Sequence, residues 1–347
     1  MKMTSSILVL LCSCLIAGSC SKDDTTIPDW PWTDPQPDPE PEFVEPNPEI
    51  TAQGWVNVKD EFGILPEAVS VYKSPSTLKG ASAIAYIAVA TESFNVWGIN
   101  DATLTGSTDA LKTPANVYTE KQPSIVINGG YFYSDGGKNY AASLAINNGT
   151  LLSPNINYAS RDWETIYYPT RAVFLEHNDG SFEAGWTYYS NADNHFLYQA
   201  PAPNSWDNTP CDVPSATYPS TGSSLNAKNG IGGGPVLIKG GVIKNTGAEE
   251  LFEANSDVAY AGVGPRTAIG VTSDKKLILF VCEGRNMTEG VAGFSTETVA
   301  SIMKDLGCTE AINLDGGGST CMLVNGKETI KPSDGTQRKV GSCVYLK

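Results

Sequence analysis

Short apolar runs, broken by Asn-Gly, Asp-Gly and Gly-Gly signals, leave this chain little choice but to fold as sheet. Residues 83–91 and 94–99 form two such runs, split by a polar pair, and residues 124–128 form another. Residues 144–152 bend at Asn147-Asn148-Gly149, which predicts a hairpin; 171–176 and 182–188 flank Asn178-Asp179-Gly180 in the same way. Runs 235–238 and 242–244 bracket Gly240-Gly241, and runs 267–271 and 277–282 bracket a polar turn at 273–276. A helix is clear at one place: Val299, Ile302, Met303 and Leu306 fall at i, i+3, i+4 and i+7. Ser295 or Thr296 can cap its start, and Gly307 can close it in a left-handed C′ position. A short turn of helix could form within 249–255, and the polar, Pro/Gly/Ser-rich stretch 191–229 reads as a surface loop or insertion. The expected class is α+β, mainly antiparallel or mixed β-sheet with few helices and no internal repeat.

The first 49 residues are of another kind. Residues 1–19 begin with a lysine, carry an apolar centre too short to span a bilayer, and end in small residues before Cys20, as an export signal does. Ala17-Gly18-Ser19-Cys20 resembles a bacterial lipobox, and Ser21-Lys22-Asp23-Asp24 resembles the acidic tag of surface lipoproteins, so Cys20 is the expected lipidation site. That places the protein at the outer membrane, surface-exposed or periplasmic, and held to the membrane by its lipid. Residues 20–49 are rich in Pro, Asp and Glu and carry about half of the net charge of −15; they should form an extended, self-repelling tether. The remainder divides into an expected β-rich segment at 50–121 packed on a main domain at 122–347. No basic cluster is present, which argues against a nucleic-acid partner. Cys211, Cys282, Cys308, Cys321 and Cys343 are an odd set for an oxidising compartment, with room for one or two disulfides and at least one free thiol.

The chemistry concentrates where apolar runs meet glycine. Asn128-Gly129-Gly130-Tyr131-Phe132, Gly232-Gly233-Gly234-Pro235, Gly264-Pro265-Arg266-Thr267, Glu283-Gly284-Arg285 and Asn313-Leu314-Asp315-Gly316-Gly317-Gly318-Ser319-Thr320 share this form. Residues 321–324 look like a return strand, so the last of these could be no more than a tight hairpin turn. If the segments converge, they unite two carboxylates, two guanidinium groups, two amides and many glycine N–H groups. Arginines beside glycine N–H groups make a seat for phosphate or carboxylate, because the guanidinium binds bidentately and glycine lets the backbone come close. A pair of carboxylates suits acid–base or nucleophilic work at an acetal carbon. His177 and His195 lie away from every glycine loop, so histidine-driven acyl transfer and His-rich zinc sites are excluded as first readings. Walker A, dinucleotide and Gly-x-Ser-x-Gly signatures do not occur. No cofactor is implied; Asp315 with amide or backbone oxygens could hold a divalent metal, but no ligand spacing demands one.

The segments beginning at Asn128, Gly264, Glu283 and Asn313, taken in that order, resemble the phosphodiester glycosidase family, from about residue 124 to the C-terminus apart from 191–229. The family more often has aspartate where Glu283 stands. Its mammalian members remove N-acetylglucosamine from a sugar–phosphate–sugar diester, so the resemblance implies hydrolysis of a glycosyl-1-phosphodiester bond in a phosphorylated oligosaccharide or polysaccharide. On that footing the expected catalytic set is Asp315 as nucleophile or base, Glu283 as second carboxylate or orienter of Arg285, and Arg266 and Arg285 on the phosphodiester. Asn128 and Asn313 would fix sugar hydroxyls, and Tyr131 would stack on a sugar ring. Gly129, Gly130, Thr267, Gly316, Gly317, Gly318, Ser319 and Thr320 would complete the binding surface. Two other classes remain: a phosphodiesterase that cuts the P–O bond, and a non-catalytic surface glycan-binding lipoprotein.

Overall fold

A computed structural model describes residues 44–100, 110–253 and 260–347. The proposed leader, Cys20 and all but the last residues of the acidic tether lie outside them. From Glu45 onward the described residues belong to one compact unit. The end of the acidic stretch is already part of it: Asn47 Nδ2 donates to the Tyr72 hydroxyl at 2.8 Å, and that hydroxyl donates to Glu45.

Three sheets, antiparallel at every pairing, make the body. The largest has eight strands, with Ala85–Ala90, Leu277–Cys282, Arg266–Thr272 and Cys308–Asn313 adjacent at its centre. These strands are buried on both faces, which explains why they read as continuous apolar runs rather than as alternating ones. A seven-stranded sheet contains the Ala145–Asn147, Asn229–Gly232, Arg171–Glu176 and Phe182–Asn191 strands. A five-stranded sheet is built from Met322–Val324, Ile125–Asn128, Ser342–Leu346 and Asn95–Gly98 with a short edge strand. One apolar core joins all three, with Ile269, Leu279 and Ile312 from the first sheet, Phe174 and Trp186 from the second, and Ile127, Met322 and Val344 from the third.

The expected helix spans Thr296–Asp305, and Ser295 caps it by accepting from Thr298 N–H. Its apolar stripe, Val299, Ile302 and Met303, covers the outer face of the eight-stranded sheet against Leu237, Ala268 and Phe280. A second helix, Pro114–Lys121, was not expected. It buries Pro114 and Val117 and so has almost no sequence stripe; a Thr113–Asn116 capping box and Pro114 in its first turn fix it instead. It covers the five-stranded sheet next to Val126, Leu323 and Tyr345.

Two further expectations change. Residues 191–229 are not wholly loop, because Asn194–Tyr198 extends the seven-stranded sheet by pairing with Phe182–Asn191. More consequentially, residues 313–324 do not make a hairpin. Cys308–Asn313 lies in the eight-stranded sheet, whereas Met322–Val324 pairs with Ile125–Asn128 in the five-stranded one. The Asp-Gly-Gly-Gly segment is therefore a crossing from sheet to sheet. All five cysteines of the described unit are free thiols, four of them buried, and no disulfide forms among them.

Candidate active site

The crossing carries Asp315 to the place where the three sheets meet. Leu314 N–H donates to Thr267 O at 2.8 Å and Gly317 N–H to Pro265 O at 3.0 Å, which extends the central ladder past the end of its strand. Asp315 N–H turns the other way, to Gly129 O of the five-stranded sheet at 3.1 Å, while Gly234 N–H donates to Asn313 O at 2.7 Å from the third side. Three backbones thus approach one another within hydrogen-bond distance, and here glycine is obligatory. A Cβ on Gly130 would stand 2.3 Å from Gly232 O, and one on Gly233 would stand 2.4 Å from Asn313 O.

A cleft of about 140 Å³ opens over Asp315, lined by Tyr131, Arg266, Arg285, Gly316, Gly317, Gly318 and Arg338. Each of the three glycines faces a different guanidinium group. A Cβ on Gly316 would lie 3.7 Å from Arg266 Nη1, one on Gly317 would lie 2.9 Å from Arg285 Nη2, and one on Gly318 would fall 2.2 Å from Arg338 Nη2. The run of glycines lets three cations crowd round one carboxylate.

The cations are held differently. Arg266 is buried, donating from Nε to Phe294 O at 3.0 Å and from Nη2 to Gly262 O, and burial pulls its pKa down. A guanidinium keeps its charge regardless, so Arg266 is a fixed cation in the wall of the cleft. Arg285 and Arg338 are half-exposed and share Asp334, at 3.8 Å and 2.6 Å. Arg338 and Asp334 escaped sequence reading because their segment has no glycine-strand form; their i,i+4 spacing is a common surface pattern.

Asp315 is 8 % exposed, and burial pushes its carboxyl up to about 6, against the opposing pull of the Ser319 hydroxyl, the Gly316 N–H at 2.8 Å, and Arg338 and Arg266. Among the residues lining the cleft it is the lone carboxylate. Counting Asp334, which Arg285 and Arg338 share, two carboxylates stand against three guanidinium groups, and the remaining positive charge favours an anion over a divalent cation.

The other expected site residues divide into two groups. Asn128, Thr267 and Asn313 are fully buried behind the cleft, as are Ser319 and Thr320. Asn128 Oδ1 accepts from Thr267 Oγ1 at 2.7 Å and Cys321 N–H at 3.1 Å, while its Nδ2 donates to Asp315 O at 2.7 Å. It ties the crossing to both flanking strands and has nothing left for a sugar. Asn313 Nδ2 donates to Gly234 O at 2.9 Å and reaches the Tyr131 hydroxyl at 3.3 Å, holding the one aromatic ring that lines the cleft. Tyr131 itself donates to Gly234 O at 3.0 Å and packs on Phe252 with ring centroids 5.2 Å apart.

Glu283 stands apart from the others. It is buried, its Oε2 accepts from Lys331 N–H at 3.1 Å, its Oε1 has no partner, and it lines a different cavity with Tyr86, Met287 and Lys331. The strand-end spacing put it beside Arg285, but Arg285 has a left-handed backbone (φ +55°), which turns the two successive polar side chains apart.

The family model for phosphodiester glycosidase matches residues 121–347. The chain belongs to this family. Its curated relatives are matched only in part. N-acetylglucosamine-1-phosphodiester alpha-N-acetylglucosaminidase of Mus musculus is 35% identical over 96 residues, 27% of this chain and 18% of the relative. The Homo sapiens protein of the same name is 32% identical over 113 residues, 31% of this chain and 21% of its own. An uncharacterized SPbeta prophage-derived protein of Bacillus subtilis is 33% identical over 117 residues, 34% of this chain and 17% of that one. The chain thus spans about a fifth of the length of these relatives. Among solved structures, the zebrafish N-acetylglucosamine-1-phosphodiester alpha-N-acetylglucosaminidase catalytic domain, described as auto-inhibited by its pro-peptide, superposes with a TM-score of 0.51 at 19% identity. That superposition covers 84% of this chain and 87% of the zebrafish chain. A hypothetical protein from Synechocystis matches equally well, with a TM-score of 0.51 at 16% identity over 82% of this chain and 64% of its own. At these identities the phosphodiester glycosidase likeness in structure is a likeness of fold.

Proposed function

We propose that the cleft over Asp315 hydrolyses a glycosyl-1-phosphodiester bond in a phosphorylated glycan and releases the sugar. The observation that carries this reading is one carboxylate ringed by three guanidinium groups across Gly316, Gly317 and Gly318. Arg266, Arg285 and Arg338 seat the diester and take up the charge that grows on the departing phosphate. A phosphate monoester leaves as a stable anion, so the reaction needs little general-acid help. A cleft lined by a single carboxylate suits such a leaving group better than it suits an ordinary glycoside. Asp315 acts at the anomeric carbon, as nucleophile or as base toward water. Asn128 and Thr267 position the crossing rather than touch the sugar. The relatives' name makes N-acetylglucosamine-1-phosphodiesters the first substrates to try. We also propose that residues 1–19 export the chain and that Cys20 carries a lipid.

The test is an assay of the full chain on N-acetylglucosamine-1-phospho-6-mannose in ¹⁸O-labelled water, beside Asp315→Asn and Arg266→Ala. Free sugar carrying the label, lost with Asp315→Asn and cut by roughly 10²-fold or more with Arg266→Ala, is the expected result. Label in the phosphate would mean P–O cleavage. Turnover untouched by either substitution would remove the cleft from the reaction.

A further inference from the structure

The cleft over Asp315 is small, about 140 Å³. A much larger cavity of about 620 Å³ lies along the same face, and its walls are aromatic. Tyr133 and Tyr140 stack face to face with centroids 4.9 Å apart on one side, and Tyr158, Trp163 and Trp206 contribute the others. Packed side chains, rather than open space, link the two. Tyr131 of the cleft packs on Phe252, and Phe252 lines a small pocket that shares Arg161, Trp206 and Glu253 with the large one.

Charge tells what the cavity can take. Arg161, the cation among the lining residues, is neutralised by Glu253 through two parallel contacts of 2.6 Å, and its guanidinium lies 4.5 Å from the centre of the Trp206 ring. Asp135 adds a negative charge. The lining thus carries no excess of positive charge, unlike the cleft over Asp315. It offers ring faces for C–H surfaces and a planar Arg–Glu pair for hydroxyl groups. Trp163 supplies the second observation: its indole is 84 % exposed on a backbone with φ +64°. The turn is pinned by Asp162 Oδ1, which accepts from Glu164 and Thr165 N–H at 2.9 and 2.7 Å, and by Ser160 Oγ, which accepts from Trp163 N–H at 2.8 Å. A bulky side chain at positive φ carries a backbone cost and, outside the core, gains little burial in return.

We propose that this aromatic cavity is a binding subsite for neutral saccharide, holding the uncharged arm of the glycan whose phosphodiester enters the Asp315 cleft. The assignment of the bound arm to that substrate rests on the proposed function. Binding itself does not, and it can be measured without turnover. The full chain is titrated with N-acetylchitotriose and with mannotriose by calorimetry and tryptophan fluorescence, beside Trp163→Ala, Tyr140→Ala and Asp315→Asn. At least one trisaccharide is expected to bind with a fluorescence change. Affinity should weaken about tenfold in each aromatic variant, whose folding is checked by near-UV circular dichroism, and stay unchanged in Asp315→Asn. Failure of both sugars to bind, full affinity in Trp163→Ala, or loss of binding in Asp315→Asn would overturn the subsite. Binding of a trisaccharide together with no turnover of N-acetylglucosamine-1-phospho-6-mannose would keep the subsite and remove only the catalytic reading.

Discussion

Burial of Asp315 comes at the expense of stability. Its carboxyl, raised by burial to about 6, titrates above the ordinary aspartate value of 3.8. Below about pH 3 the folded and unfolded chains both hold the proton and the group is neutral to stability. As pH rises through 6 the unfolded chain releases the proton first, so the full penalty is present at pH 7 and above. Asp315→Asn is therefore expected to abolish turnover yet raise the unfolding free energy at pH 8 by up to about 3 kcal/mol, a gain nearly gone by about pH 3. Urea unfolding at the two pH values measures this. If Asp315 is the reacting carboxylate, kcat/KM of the unaltered protein should climb with a limb near pH 6, where the free carboxyl ionises. Gly318 is the other decisive position. Alanine there would put a Cβ 2.2 Å from both Arg338 Nη2 and Asp334 Oδ2 and push that pair aside. KM for the phosphodiester should rise at least several-fold in Gly318→Ala while Tm changes little, because the displaced side chains are half-exposed.

At the scale of elements, the crossing between Cys308–Asn313 and Met322–Val324 is the structural event on which the site depends. Asn128 fastens it with hydrogen bonds to Thr267, Cys321 and Asp315. Asn128→Ala would leave buried donors and an acceptor without partners, and a loss of roughly 2–4 kcal/mol is expected by urea unfolding. Activity should fall with it even though Asn128 touches no substrate. Behind Tyr131 a second buried hub does similar work: Glu250 accepts from Ala172 and Val236 N–H, Thr246 Oγ1 and Trp186 Nε1. Burial raises the Glu250 carboxyl, with nearby Arg171 pulling the other way.

For the whole molecule, the proposed anchor and the described unit are separate problems. Residues 1–43 are outside the description, and no helix among the described residues is long and apolar enough to cross a membrane. If Cys20 carries a lipid, Cys20→Ser should move the protein from the membrane pellet to the soluble fraction of an expressing bacterial cell, with its hydrolytic activity intact. Pelleting of the variant as before would remove Cys20 as the anchor.

By itself the sequence determined the class, most strands, the Thr296–Asp305 helix and the positions of Asp315, Arg266 and Arg285, because each leaves a local mark: an apolar run, a 3.6-residue stripe, a charge at a strand end beside glycine. Beyond the local hairpins, it could not determine which strand pairs with which. Only the tertiary structure turned the apparent hairpin at 313–324 into a crossing, moved Glu283 to another cavity and made Asn128 a brace. It also brought Arg338 to Gly318 and gathered Tyr133, Tyr158 and Trp206 round one cavity. Those are contacts between residues far apart in the chain, fixed by long-range burial and close backbone approach, and no local pattern encodes them.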